Sequence, residues 1–185
     1  VVRVVGVYDG GDVVVMCWSY RYVSVCIVQR APGLELFPDV ALFVSVLSFS
    51  LYRKGMRMLT GYSDASLRLG AGGNELQLYE LHTGSVLAVC FSPDGKGILT
   101  GSRDNTTRLW DVGSGEELQK FEAGWVLAVC FSPAGKGILT GSGDGNARLW
   151  DVESGGGLQK FEGHNGEVRA VCFTPDGKSI LKGSA

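Results

Sequence analysis

His82, Ser102 and Asp104 are the residues of this chain that most readily suggest chemistry, since a base, a nucleophile and an orienting carboxylate are what a serine hydrolase needs. Gly177-Lys178-Ser179 has the closing letters of a phosphate-binding loop. Cys17, Cys26, Cys90, Cys130 and Cys172 offer metal ligands or disulfide partners. Arg68, Arg108 and Arg148 recur at intervals that would suit a basic track. Spacing disposes of two of these signals at once. The phosphate loop requires a glycine where Cys172 stands, and no two cysteines have zinc-ligand spacing.

The elements that would position these residues repeat. Residues 86–122 and 126–162 agree at 29 of 37 positions without a gap, and residues 170–184 begin the same text a third time. From Val89 to Val129 to Val171 the period is 40 and then 42 residues. Self-similarity at about 40 to 45 residues, with Gly-His and Trp-Asp pairs, marks four-stranded propeller blades. Gly163-His164, Trp110-Asp111 and Trp150-Asp151 supply those pairs, and from Leu81 to the end the chain resembles the WD-repeat family. Upstream, Met58 to Asp64 and Leu67-Arg68-Leu69 parallel Ile98 to Asp104 and Arg108-Leu109, with Gly70 at the tryptophan position.

The resemblance implies an all-β fold, a partial β-propeller of four-stranded antiparallel blades. At roughly 40 residues each, about four and a half blades fit the chain, which leaves the ring incomplete. The expected units are a degenerate blade over residues 1–37, a worn blade over 40–80, blades over 84–121 and 125–161, and a half blade over 166–185. Without an initiator methionine, and ending just after a second strand, the sequence reads as part of a longer protein. In the clearest copy the strands are expected at Val86 to Phe91, Gly97 to Ser102, Thr106 to Asp111 and about Glu117 to Phe121. Ser92-Pro93-Asp94-Gly95 forms the first hairpin turn.

Placed on blades, the chemical signals change meaning. Equivalent residues lie in different blades, so Cys90, Cys130 and Cys172 are expected as separate small core groups, without disulfides or a metal. Gly177-Lys178-Ser179 falls on the hairpin turn that reads Gly-Lys-Gly at Gly95 and Gly135. The arginines are expected to flank the tryptophans. The resemblance assigns His82, Ser102, Asp104 and Trp110 to a buried hydrogen-bond network, in which Ser102 is expected to accept the Trp110 indole N–H. Ser142, Asp144 and Trp150 form a second set without a histidine, because Ala123-Gly124-Trp125 stands where Gly-His belongs. His164 and Ser184 begin a third. No catalytic residue and no cofactor is expected.

A net charge of -2 gives no broad attraction for phosphate backbones, so nucleic acid is not an expected partner. The apolar stretch from Val40 to Leu51 is too short to cross a bilayer, and the N-terminus lacks the pattern of a secretion signal. The expectation is an intracellular protein, cytoplasmic or nuclear and not membrane-bound. Its expected partners are other proteins or peptides, with self-association through open blade edges in addition.

The eight differences between the two near-identical repeats all fall in turns or at strand ends. A rigid scaffold presenting variable loops would show this, and so would simple drift. The resemblance places docking on the face built from the loops entering the first strand and joining the second to the third. Ser63, Arg103, Trp125, Asn165 and Glu167 lie there. Tryptophan and arginine dominate interface hot spots. Trp125 either faces a partner or folds inward to fill the missing histidine's place. The implied function is a non-enzymatic interaction scaffold; the alternative is a regulatory or sensing propeller domain of a larger enzyme, such as an NTPase or a protein kinase.

Overall fold

Short apolar runs separated by Gly, Pro, Asp and Asn become strands here, because alternate side chains then reach an apolar layer on each side. The computed structural model describes the backbone of residues 4–9, 12–19, 22–28, 44–52, 55–62, 64–71, 74–80 and 82–184, and the side chains of 59–61, 64–70 and 82–184. Among these residues every regular element is a strand, and no helix is long and apolar enough to cross a membrane.

The first sheet runs in sequence order through β1 (Val4–Asp9), β2 (Asp12–Ser19), β3 (Tyr22–Val28), β4 (Val44–Tyr52), β5 (Gly55–Tyr62), β6 (Ser66–Ala71) and β7 (Asn74–Glu80). Strands β3 and β4 meet at one partnered position, Ile27 with Leu47. The 1–37 segment thus shares a sheet with the strands of the 40–80 segment. The second sheet holds β8 (Val86–Phe91), β9 (Gly97–Ser102), β10 (Thr106–Asp111) and β11 (Glu117–Glu122). The third repeats it with β12 (Val126–Phe131), β13 (Gly137–Ser142), β14 (Ala147–Asp151) and β15 (Gly157–Phe161). The fourth has β16 (Val168–Phe173) and β17 (Ile180–Ser184).

All described ladders are antiparallel, and one hairpin turn recurs in three copies. In the first, Gly95 N donates to Ser92 O at 2.9 Å with Gly95 at φ +70°, a conformation that glycine adopts without a Cβ clash. Gly135 and Gly177 repeat it at φ +73° and +69°. Gly177-Lys178-Ser179 is therefore an exposed hairpin turn, as its position in the repeat requires.

The sheets stack face to face through three apolar layers. Leu59, Leu67 and Leu69 meet Val86, Val89, Phe91, Ile98 and Trp110 in the first. Ala88, Cys90, Leu99, Leu109 and Phe121 meet Val126, Val129 and Ile138 in the second, and Ala128, Leu139 and Ala147 meet Val168 and Val171 in the third. A register shift between Val86 and Ala88 puts Val86 on the face of Val89 and Phe91, where strict alternation would have opposed them. Close approach also fixes Gly101 and Gly141. A Cβ at 101 would lie 2.5 Å from Val126 Cγ1, and one at 141 would lie 2.8 Å from the Val168 carbonyl oxygen. The stack stays open at the fourth sheet: Leu99 and Leu139 are 0 % exposed, whereas Leu181 at the equivalent place is 55 % exposed. Cys90 is buried, and Cys130 and Cys172 are half-buried.

Candidate functional site

Strand β9 presents Thr100 and Ser102 two residues apart and so on one face. Trp110 Nε1 donates to Thr100 Oγ1 at 3.0 Å, and that oxygen lies 2.7 Å from His82 Nε2. His82 Nδ1 is 2.8 Å from Asp104 Oδ2. A carboxylate only accepts, so Nδ1 carries the proton, Nε2 is the acceptor, and the Thr100 hydroxyl donates to it. Asp104 also accepts from Thr83 N at 3.1 Å, Thr106 N at 3.0 Å and the Thr106 hydroxyl at 2.6 Å. The His82 and Asp104 side chains are 0 % and 6 % exposed. Burial pushes the imidazole below its ordinary value against the pull of Asp104, which keeps it neutral. Burial alone would raise Asp104, but the Thr106 and His82 donors outweigh it and hold the carboxyl at about 2.

Ser102 stands elsewhere than expected. Its hydroxyl donates to Gly84 O at 2.9 Å and accepts from Asp104 N at 3.1 Å, so the indole's acceptor is Thr100 and not Ser102. Ser102 instead pins the loop entering β8 to the turn after β9. The order of a hydrolase is also broken, because the His82 Nε2 that would serve as base is engaged by Thr100.

The third sheet keeps half of this arrangement. Trp150 Nε1 donates to Thr140 Oγ1 at 3.0 Å, and Ser142 Oγ faces Asp144 N at 3.5 Å. No histidine is present, and Arg148 takes its place beside the aspartate. Arg148 Nη2 lies 2.5 Å from Asp144 Oδ2, while Nη1 donates to Ala123 O at 3.1 Å. Burial alone would raise Asp144; Arg148 more than offsets it and holds the carboxyl well below the usual range. In the second sheet the matching Arg108 pairs with Glu117 at 2.9 Å, a partner that Gly157 cannot supply to Arg148. In the fourth sheet Lys182 replaces the threonine and donates to the carbonyls of Phe161 and Glu162. His164 is half-exposed and Ser184 exposed, and β16 and β17 carry neither aspartate nor tryptophan for them.

The loops leading into β8 and β12 and the turns after β9 and β13 share one rim. Arg103 N donates to Ser85 O at 3.0 Å, and Gly143 N to Trp125 O at 2.8 Å. The exposed Arg103 guanidinium lies over the Trp125 ring, 4.9 Å from its centroid, so the pair crosses from the second sheet to the third. On its other side the indole rests on Gly143, where a Cβ would come within 2.9 Å of Trp125 Cε3. Trp125 Nε1 is buried without a hydrogen-bond partner. Trp125 thus fills the rim between two turns and makes none of the bonds that His82 makes. Asn165 is exposed, Glu167 is paired with Arg169 at 2.7 Å, and Ser63 lies outside the described residues.

A family model described as WD domain, G-beta repeat matches residues 73–111, 115–151 and 155–185. The chain belongs to the WD-repeat family. A comparison with curated proteins gives no match. Each matched WD repeat covers the outermost strand of one sheet and the inner strands of the next: β7 with β8–β10, β11 with β12–β14, and β15 with β16 and β17. Every repeat therefore spans a boundary between blades and ties neighbours together covalently. The fold is a partial β-propeller with an open ring, and WD-repeat domains of this kind are protein-interaction scaffolds, generally without catalysis. Among the described residues no cluster of His, Cys, Asp or Glu could hold a metal ion.

Residue types alone did not point to Thr100, Thr140 and Arg148. The threonines were visible as the third letter of Ile-Leu-Thr-Gly-Ser in both copies, two residues before the serine and hence on its face. Arg148 was visible only as an arginine whose repeat lacks both the histidine and the glutamate of its neighbour.

Proposed function

We propose that the chain is a non-enzymatic scaffold that binds other proteins through the rim where Arg103 and Trp125 meet. What supports this reading most is that juxtaposition: two residue types that dominate interface hot spots come together across a blade boundary, on loops that differ between otherwise copied repeats. Arg103 is exposed and Trp125 half-exposed, so both are reachable by a partner. The rigid layers below cost a partner little to order, because the loops are tied to them by Arg103 N to Ser85 O and Gly143 N to Trp125 O. The setting proposed is intracellular, cytoplasmic or nuclear, with Cys90, Cys130 and Cys172 on three separate sheets. The net charge of -2 supports protein over nucleic-acid partners.

The test is quantitative affinity capture with the immobilised chain, comparing wild type with Arg103→Ala and Trp125→Ala. Proteins retained by wild type should be depleted by both variants. Equal retention by all three forms would remove this rim as the binding surface.

A further inference from the structure

Around the rim loops, charges among the described residues are paired. Lys120 pairs with Glu122, Lys160 with Glu162, Arg169 with Glu167, Arg148 with Asp144 and Arg108 with Glu117, all at 2.9 Å or less. Asp104 is enclosed by His82, Thr83 and Thr106. Lys182, without a carboxylate, donates to the Phe161 and Glu162 carbonyls, and the exception among the described rim cations is Arg103. It is exposed, no described carboxylate lies within ion-pair distance of it, and its side-chain contact is the Trp125 ring. Both halves of that contact are held in place: the Arg103 backbone is anchored to Ser85, and the indole rests on a glycine that leaves it room.

A guanidinium seated on an aromatic ring keeps its charge and its N–H donors, is more weakly hydrated than an ammonium, and matches a carboxylate bidentately. Part of the ordering cost of binding is thereby already met. We propose that this rim recognises acidic peptide segments, with an aspartate or glutamate carboxylate received by Arg103 and the adjoining peptide side chain lying against Trp125. The proposal rests on the scaffold reading above and adds the chemistry of the partner to it.

Panning a random-peptide phage library on the immobilised 185-residue chain, then measuring synthetic versions of the selected peptides by fluorescence anisotropy, tests it. Selected peptides should be enriched in glutamate and aspartate. Changing the key glutamate to glutamine, or Arg103→Gln in the protein, should weaken binding about tenfold or more, the loss expected for a charge-assisted pair. Arg103→Lys should weaken it by roughly threefold, since the charge stays and the fork is lost. Lys178→Gln, on an exposed turn of the other rim, should leave affinity unchanged. Neutral or basic peptides that need Trp125 but tolerate Arg103→Gln would overturn the acidic assignment and leave the scaffold reading standing. Peptides indifferent to both Arg103→Gln and Trp125→Ala would overturn both. A phosphoserine peptide binding more than about tenfold tighter than its glutamate counterpart would overturn the carboxylate in favour of a phosphate.

Discussion

Thr100→Val replaces a hydroxyl by a methyl of the same shape, so its cost isolates hydrogen bonding from packing. Two groups lose their partner at once: the Trp110 indole N–H, 3.0 Å from Thr100 Oγ1, and His82 Nε2, 2.7 Å from it. Trp110 is 6 % exposed and the His82 side chain 0 %, so water does not reach either group to replace the bond. Each buried orphan costs about 1–3 kcal/mol, and the added methyl returns under about 1 kcal/mol, which leaves a net loss of roughly 3 kcal/mol. Thr140→Val orphans only Trp150, which is half-buried and has no histidine beyond it, so its loss should be about 1 kcal/mol. Ser102→Ala breaks the tie to Gly84 O and should also cost about 1 kcal/mol. Urea unfolding of the whole chain, followed by far-UV circular dichroism, gives the order, with Thr100→Ser as the variant that keeps the hydroxyl. A Thr100→Val loss below about 0.5 kcal/mol, or one no larger than that of Thr140→Val, would refute the shared-hydroxyl network.

Five further outcomes are open to measurement. Because burial lowers the folded-state pKa of His82 below its ordinary value, the unfolded chain binds the proton first as pH falls through that region, and stability must decline there. Asp104, held at about 2 against 3.8, adds a second loss below pH 3.8, about 2 kcal/mol before and about 1 kcal/mol after allowing for solvent screening. Urea midpoints of wild type and His82→Gln that run parallel from pH 7.5 down to about 5 would contradict the first of these. Gly101→Ala should cost about 2 kcal/mol by overpacking against Val126, read as a lowered thermal midpoint. Thr107→Val should raise stability by about 1 kcal/mol, because Thr107 Oγ1 is buried without a partner. Arg148→Ala should destabilise more than Arg108→Ala in the same urea assay, since Arg148 holds Asp144 and the Ala123 carbonyl whereas Arg108 bonds at the surface to Glu117.

The strands of the second and third sheets were legible because sequence there is punctuated by residues with a single conformational purpose. Ser92-Pro93-Asp94-Gly95 permits little besides a turn, and apolar residues on both strand faces require neighbours on both sides. The register shift next to Val86 was hidden, because Val86, Ala88 and Cys90 are all apolar and every choice of face reads alike. Of the buried network, His82, Asp104 and Trp110 were legible from the family resemblance, but Thr100 and the wiring through it were not. Serine and threonine have the same hydroxyl, and only the reach from β9 to Trp110 decides that Thr100 and not Ser102 takes the indole. Trp125 left two alternatives open in sequence, and the structure sets its ring between Arg103 and Gly143, where it makes none of the bonds that His82 makes.

Two of the eight differences between the copied repeats are tied to changes just outside the copied stretch. Arg103 corresponds to Gly143, and Ser85 to Trp125: the indole needs the glycine beneath it, and it offers the arginine of the preceding blade a ring to lie over. Glu117 corresponds to Gly157. Where the glutamate is present, Arg108 turns toward it and His82 serves the aspartate; where it is absent, so is the histidine, and Arg148 serves the aspartate itself. Asn105 corresponds to Gly145 at φ +70° and +80°, and only the second faces the His164 carbonyl, which would lie 2.6 Å from a Cβ. Drift in exposed loops would scatter changes without regard to their neighbours. Here the change at 103/143 is matched by that at 85/125 across a blade boundary, and the change at 117/157 by the loss of the histidine within one network. The packing between blades therefore constrains which rim residues can vary together, and the Arg103–Trp125 pair is one such joint solution that ends at the surface.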